Sequence, residues 1–112
     1  MDIVFRNKKF QKECNKHSLL VQKHGLNRAK LIELRLDILR DANILEDTRN
    51  LPGNCHELHQ NRAGQLSLDL DGPYRLIFEP ADQPIPLKPD GGLDWNKVTA
   101  VEILGVENTH GK

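Results

Sequence analysis

The segment Asn54–His59, with the sequence NCHELH, places a cysteine, two histidines and a glutamate within six residues. Such side chains could bind a metal ion or transfer protons. The zinc-protease motif H-E-x-x-H is not completed, because Gln60 stands where its second histidine is required. On a strand, moreover, Cys55 and His59 would point to one side and His56 to the other. We therefore predict no metal site, and a zinc ion would need a further ligand from Cys14, His17, His24 or His110.

Proton transfer on RNA suits these residues better. Cleavage beside a 2′-hydroxyl needs a base, an acid and cations that hold the phosphate, and it can proceed without a metal ion. His56 and His59 can exchange protons near neutral pH, and Arg62 and Arg75 can bind phosphate. Each residue also has a simpler interpretation: the histidines as exposed polar groups, and Arg75 as the cross-strand partner of Asp69.

Length and composition indicate one ordinary globular domain spanning residues 1–112, with 38% hydrophobic and 29% charged residues. No apolar run approaches the roughly 20 residues needed to cross a bilayer, and the N-terminal segment lacks the apolar core of a secretory signal. Two cysteines are too few for a disulfide framework. We therefore expect a cytoplasmic protein that makes no membrane contact. The sequence contains no Walker loop and no dinucleotide fingerprint, so we also expect no cofactor.

The net charge of zero conceals an uneven distribution. Residues 1–40 contain ten Lys/Arg and four Asp/Glu, a balance of +6, whereas residues 41–112 contain six and twelve, a balance of −6. One surface can therefore be basic and could bind a polyanion. The alternative is two solvated charged surfaces without a partner.

Two helices are predicted before the strands. Asn7 can cap the first, which ends at His24-Gly25, and Asn27 can cap the second, which runs to about Asp41. The second helix has a wide apolar arc that Arg28 and Arg35 interrupt. Their simplest role is to snorkel at the edge of the core, and the alternative is contact with RNA or an acidic partner.

The pattern changes to strand periodicity after Leu51-Pro52-Gly53. Leu66, Leu68 and Leu70 alternate with polar residues, and a three-residue turn at Asp71–Pro73 places them on the same side as Tyr74, Leu76 and Phe78. This register sets Asp69 opposite Arg75. The polar side of these strands would then be open to a ligand; it carries Gln65, Ser67, Asp69, Arg75 and Glu79.

Two further segments complete the predicted sheet. Ile3–Phe5 is a short apolar strand, and VTAVEILGV, residues 98–106, is apolar on both sides except for Glu102, which is typical of a central strand. Residues 80–97 form a Pro/Gly-rich loop insertion. The predicted fold is α+β, with an N-terminal strand and two helices packed on one face of an antiparallel-rich sheet of four to five strands.

Several of these segments, in this order, resemble the HigB branch of the RelE/ParE toxin superfamily: LPG, CHELH, RAGQLSLDLDGPYRLIFEP and VTAVEILGVENTH. The resemblance covers most of the chain. It implies a RelE-like fold and a type II toxin that cleaves mRNA on the ribosome and so inhibits translation. It also implies a HigA-like helix-turn-helix antitoxin as partner, with DNA contacted only through that antitoxin.

The resemblance also implies roles for particular residues. His56 falls where HigB proteins carry a catalytic histidine, and His59 falls where they carry an active-site lysine. Arg75 matches their strand arginine, and His110 matches the histidine of their C-terminal Asp-Tyr-His. We therefore expect His56, His59, His110 and Arg75 to be catalytic, and Arg62, Arg75, Arg28 and Arg35 to bind RNA phosphate.

The chain departs from the family pattern at its C-terminal end. Asn108 and Thr109 replace the Asp and Tyr, so neither a carboxylate base nor a stacking ring is present there. His59 in place of lysine makes that charge dependent on pH, and members of the superfamily are usually strongly basic. These departures keep an alternative open: a RelE/ParE-fold toxin without RNase activity, ParE-like or attenuated, that mainly binds its antitoxin.

Overall fold

The computed structural model describes residues 1–109, in which five strands form one sheet and three α-helices lie between the first two strands. Two short 3₁₀ turns, Leu45–Thr48 and Gln60–Arg62, flank the second strand. None of the helices in this part of the chain is long and apolar enough to span a bilayer. The elements are β1 (Asp2–Phe5), α1 (Lys8–Cys14), α2 (His17–His24), α3 (Leu26–Asp41), β2 (His56–Glu57), β3 (Leu66–Asp69), β4 (Tyr74–Pro80) and β5 (Ala100–Asn108).

The strands lie in the order β1-β5-β4-β3-β2. β1 runs parallel to β5, and every other neighbouring pair is antiparallel. The predicted α+β class is confirmed, and so is the central position of the last strand, which lies between β1 and β4. The predicted three-residue turn is also confirmed, because Leu68 pairs with Leu76 and Asp69 with Arg75. The helices cover the side of the sheet that carries the alternating leucines.

The first predicted helix is wrong in one respect, because α1 and α2 are separate. Asn7 does cap α1, and its Oδ1 accepts a hydrogen bond from the Phe10 backbone N–H at 3.0 Å. The break at residues 15 and 16 lets Glu13 Oε1 come within 3.3 Å of His24 Nε2, with Phe10 edge-on to the same ring. In one continuous helix Glu13 and His24 would be about 16 Å apart along the axis.

α3 begins one residue before the predicted cap. Gly25, with φ +83°, is the N-cap in place of Asn27, since the chain reverses here in a conformation that suits glycine. Four of its apolar residues enter the core, whereas Leu34 remains 53% exposed. The buried residues of α3 are Ala29, Ile32, Leu36 and Leu39.

The loop between β4 and β5 is fastened at several points. Trp95 is buried in the core, and its indole N–H donates to Glu57 Oε2 at 2.8 Å. Asp82 accepts hydrogen bonds from the backbone N–H groups of Thr99 and Ala100. The predicted loop insertion is therefore an ordered segment that contacts the end of β2 through Trp95 and Glu57. It begins after Pro80, which still belongs to β4.

Candidate nucleic-acid interface

The side of the sheet away from the helices collects several of the predicted site residues. The register aligns His56 with Ser67 across β2 and β3, and it aligns Asp69 with Arg75 and Arg75 with Glu107 across β3, β4 and β5. Residues directly opposite one another in a sheet share a side, so these side chains lie on one surface. We call it the sheet face, defined by His56, Arg62, Asp69, Arg75 and Glu107.

His56 is exposed at the edge of this face, and its tautomer follows from its one hydrogen bond. Its Nδ1 lies 2.8 Å from the carbonyl oxygen of Asn54. Because a carbonyl oxygen only accepts, the neutral ring carries its proton on Nδ1. Nε2, which has no partner among residues 1–109, is then free to take up a proton from a substrate.

The turn before β2 fixes the orientation of His56. Gly53 and Asn54 both have positive φ, at +109° and +50°. A Cβ on Gly53 would lie 2.9 Å from Arg35 Nε and 3.0 Å from Leu68 Cδ2, so only glycine fits between these side chains. The Gly53 carbonyl accepts from the Asp69 N–H at 2.7 Å, which ties the turn to the end of β3.

Arg62 reaches across the sheet face to β5. Its Nε donates to Gln65 Oε1 at 2.7 Å, and its Nη1 and Nη2 each lie 3.0 Å from a carboxylate oxygen of Glu107. An arginine binds a phosphate through the same two parallel hydrogen bonds, so Glu107 occupies the groups of Arg62 that would contact RNA. The cation is therefore already neutralised by the protein.

Arg75 forms an ion pair with its cross-strand neighbour, without the double hydrogen bond that Arg62 makes, and Asp69 Oδ1 has no hydrogen-bond partner within residues 1–109. Its Nε lies 2.9 Å from Asp69 Oδ1, and its Nη1 donates to the carbonyl oxygens of Gly72 and Tyr74 at 2.9 and 3.0 Å. The predicted pairing with Asp69 is thus present. Strand spacing and rise place the Cα atoms of His56 and Arg75 about 12 Å apart, so the two would engage neighbouring parts of one bound strand.

The sheet face is less open than the sequence indicates. Ser67 is only 1% exposed, Ile77 beside it is fully buried, and Ser67 Oγ has no hydrogen-bond partner within residues 1–109. The register places both between Gln65 and Glu107, the two hydrogen-bond partners of Arg62. The polar groups that remain accessible form a rim around a closed centre.

A third arginine continues the same arrangement towards β1. Arg6 forms ion pairs with Glu79 and Glu102, two carboxylates on the same side of the sheet. These carboxylates raise the pKa of Arg6, chiefly through the hydrogen bond to Glu102. Arg6, Arg62 and Arg75 therefore face four carboxylates, and the charge over this side of the sheet is close to balanced.

Arg28 and Arg35 lie on the helical side and do not join the sheet face. Arg28 forms a bidentate pair with Asp71 at 2.9 and 3.1 Å and stacks 3.4 Å from the centroid of the Tyr74 ring. This hydrogen bonding holds the pKa of Asp71 below its ordinary value. Arg35 Nε donates to the Asp69 carbonyl at 2.8 Å. Both arginines join α3 to the β3–β4 hairpin, in keeping with the core-edge interpretation; their RNA contact stays a prediction.

The other two residues predicted to be catalytic are His59 and His110. His59 is exposed at the start of the turn Gln60–Arg62, and His110 lies outside the described residues. Thr109 fastens the end of β5 to the β3–β4 turn: its N–H and hydroxyl both donate to the Pro73 carbonyl at 3.0 Å. The catalytic roles of His59 and His110 stay predictions.

Neither cysteine has the properties of a nucleophile. Cys55 is buried in the core, and burial raises the pKa of its thiol to about 11. Burial likewise raises the pKa of the Cys14 thiol to about 12. Cys55 and His56 point to opposite sides of the sheet, as the alternation predicts: Cys55 is buried and His56 is exposed. Residues 1–109 contain no group of three His, Cys, Asp or Glu side chains arranged to hold a metal ion.

Two residues that matter for this face were not singled out from the sequence. These residues are Glu107 and Arg6. Glu107 contacts Arg62, which is 45 residues away, and Arg6 contacts Glu79, which is 73 residues away, so both contacts depend on how the strands pair. The one available signal was register: once Arg75 is placed on β4, the antiparallel β5 brings Glu107 opposite it. Neither lies in a local motif.

Comparison with solved structures finds the same fold at low sequence identity. The chain is similar to a chain of the YoeB–YefM complex from Staphylococcus aureus, with TM-score 0.54, 18% identity, and coverage of 96% of this chain and 94% of that one. It is similar to the YoeB dimer from the same organism, with TM-score 0.53, 16% identity, and coverage of 94% and 92%. It is also similar to a YoeB/ParE toxin from Agrobacterium tumefaciens, with TM-score 0.54, 15% identity, and coverage of 96% and 98%.

These similarities show that the chain has the α+β fold of YoeB/ParE toxins along nearly its whole length. No protein-family model matches the chain, and no curated protein matches it.

Proposed function

We propose that the chain is the toxin of a type II toxin–antitoxin system: a HigB-like, ribosome-dependent endoribonuclease that cleaves mRNA in the cytoplasm without a metal cofactor. The observation that carries the proposal is the sheet face, which brings His56, Arg62 and Arg75 to one surface. The YoeB/ParE fold and the resemblance of the strand motifs to HigB proteins support it.

His56 is the residue best prepared for proton transfer. The carbonyl of Asn54 holds Nδ1–H, so Nε2 is available to remove the proton of an RNA 2′-hydroxyl. The protonated ring could equally protonate the leaving 5′-oxygen, in which case His59 or His110 supplies the base. Arg75 and Arg62 would stabilise the charge that develops on the phosphate.

Phosphate binding at this face requires an exchange of partners. Glu107 occupies the Arg62 fork, and Asp69 occupies Arg75. RNA must displace these carboxylates, or bind beside them, before the arginines can contact a phosphate. The displacement of the carboxylates is more favourable where the local concentration of phosphate groups is high, as it is for mRNA held on a ribosome.

The test is expression of the wild type and of His56→Ala in growing bacteria, with growth and mRNA integrity followed together. We expect growth arrest with new mRNA 5′ ends inside reading frames for the wild type, and neither for His56→Ala at equal protein level. Intact mRNA in arrested cells would reject the nuclease. Equal cleavage by both would reject the role of His56 while leaving the nuclease in place.

We propose, as the partner, an antitoxin with a helix-turn-helix domain of the HigA type. One of the structurally similar proteins is a chain of a YoeB–YefM complex, which supports a protein partner for this fold. Co-purification of the chain with the product of a neighbouring reading frame, and rescue of growth by that product, is the expected result.

The second candidate is a RelE/ParE-fold toxin without RNase activity. It is favoured by one observation: the three arginines of the sheet side are all held by carboxylates. Such a protein would arrest growth by poisoning another target, as ParE does gyrase, or would only bind its antitoxin. Gyrase supercoiling assays with the purified chain, run beside mRNA mapping, separate the two candidates.

A further inference from the structure

A groove on the outer side of α3 is lined by apolar and acidic side chains and has a cavity volume of about 450 Å³. Leu34 and Ile38, one helical turn apart on α3, line it together with Leu51 and Pro52 from the segment before β2. Leu34 is 53% exposed and Leu51 is 44% exposed. Large apolar side chains left open side by side mark a surface that another molecule can cover.

Negative charge predominates in the groove, although Asp37 is paired with Arg40 at 3.2 Å. Asp37 and Asp41 are four residues apart on α3 and form a row beside the apolar row, and Asp47 stands across the groove. Asp41 has no hydrogen bond or ion pair among residues 1–109. Arg35, the one cation in the lining, is turned inward, with its Nε on the Asp69 carbonyl.

An apolar row flanked by an acidic row is complementary to one kind of partner. A helix laid along α3 would place apolar side chains at positions i and i+4 against Leu34 and Ile38. Lysine or arginine beside that stripe would then meet Asp37 and Asp41. The groove lies on the helical layer, so an occupant would leave the sheet face uncovered.

We propose that this groove docks an amphipathic helix of a partner protein whose apolar stripe is flanked by lysine or arginine. Of the residues assigned to RNA only Arg35 lines the groove, and its Nε is already bound to the Asp69 carbonyl. The inference does not rest on the proposed cleavage. If that cleavage fails its test, the groove keeps its composition and its expected ligand.

The experiment uses two synthetic helical peptides of about 18 residues with the same Leu/Ile stripe. One carries flanking lysines and the other carries flanking glutamates, and the binding of each to the full chain is measured by fluorescence anisotropy. We expect the lysine peptide to bind and the glutamate peptide to bind at least tenfold more weakly, because its charges oppose Asp37 and Asp41. Equal binding of the two, or no binding of the lysine peptide, would overturn the proposal.

α3 provides a matched control for the apolar contact. Leu26 and Leu34 are both 53% exposed on this helix, but only Leu34 lines the groove. Leu34→Asp should weaken the lysine peptide about tenfold or more, because it removes a buried leucine contact, and Leu26→Asp should leave the affinity within about twofold. Equal losses in both variants would show non-specific binding and refute the site.

Two further readouts separate the alternatives. Leu34→Asp should arrest growth as the wild type does, so loss of docking is distinguishable from loss of the proposed activity. If the chain instead self-associates through this groove, sedimentation will show a dimer that Leu34→Asp converts to a monomer and that excludes the peptide. That result would assign the groove to a second copy of the chain and contradict the proposed partner.

Discussion

The sheet face and the α1–α2 surface both carry several cations, but they hold them differently. On the sheet face, Arg62 and Arg75 each lie within 3.0 Å of a carboxylate oxygen. On α1, α2 and the segment that joins them, five lysines are exposed, and no ion pair within residues 1–109 involves any of them. We call these the lysine surface: Lys8, Lys9, Lys12, Lys16 and Lys23.

The difference shows why a count of cations does not locate a binding site. Unpaired lysines create a positive potential that attracts any polyanion from solution, with little selectivity. Paired arginines create almost no such field, but they are held at fixed positions and can form two parallel bonds to a phosphate. Attraction is therefore expected from the lysine surface, and selective contact from the sheet face.

The largest expected effect is on the chemistry of the sheet face. His56→Ala should lower mRNA cleavage by about 10²- to 10⁴-fold, the usual contribution of a general acid or base. The matched control is His17→Ala, on the helical side, where Nδ1 pairs with Glu33 at 2.9 Å. Cleavage rates in a translating extract provide the measurement, and an equal loss in both variants would contradict the assignment.

A smaller effect is expected on the lysine surface. Lys9→Gln combined with Lys12→Gln should weaken the binding of any RNA severalfold at low salt and should reduce the slope of log K against log salt by about 1.4, or about 0.7 per lost phosphate contact. The cleavage rate at saturating substrate should not change. If that rate falls as in His56→Ala, the division between attraction and chemistry is wrong.

The smallest effect concerns the Arg28–Asp71 ion pair, which stabilises the fold by joining α3 to the β3–β4 turn. The pKa of Asp71 is lowered in the folded chain by Arg28, so the pair stabilises the fold above the ordinary pKa of 3.8 and the contribution is lost as the pH falls through the lowered value. Asp71→Asn should reduce the free energy of unfolding by at most about 1 kcal/mol at pH 7, because the pair is partly exposed.

Urea unfolding at a series of pH values from 7 to 2 measures this contribution. The difference between the wild type and Asp71→Asn should shrink to zero in acid. Asp41→Asn serves as the control, since Asp41 has no ion pair among residues 1–109, and it should show no such convergence. A difference that persists at pH 2 would assign the effect of Asp71 to something other than its charge.

The sheet could be predicted from the sequence, because side-chain alternation and turn length together allow one register. This register sets Leu68 opposite Leu76 and Asp69 opposite Arg75, and the structure confirms both pairs. The N-cap by Asn7 was also predictable, since it depends on a contact three residues away.

The break between α1 and α2, and the pairing of the sheet-face arginines with carboxylates, could not be predicted in the same way. The break between α1 and α2 is accompanied by the contact of Glu13 with His24, eleven residues apart, which no local propensity records. Arg62 is neutralised by Glu107, a residue 45 positions later on a strand two places across the sheet from β3. Local patterns identify which residues can bind phosphate, whereas the fold determines which of them are already occupied.

The most direct measurement of the central claim compares Glu107→Gln with the wild type for RNA cleavage in a translating extract. Glu107→Gln leaves Arg62 in place but removes its carboxylate partner, so we expect cleavage about tenfold faster at low RNA concentration. Glu46→Gln, which makes the same change of charge at the Arg49 pair outside the sheet face, should leave the rate unchanged. A rate for Glu107→Gln that is unchanged, or that falls as far as that of Arg62→Ala, would contradict the account of the sheet face as an RNA site held in check by its own carboxylates.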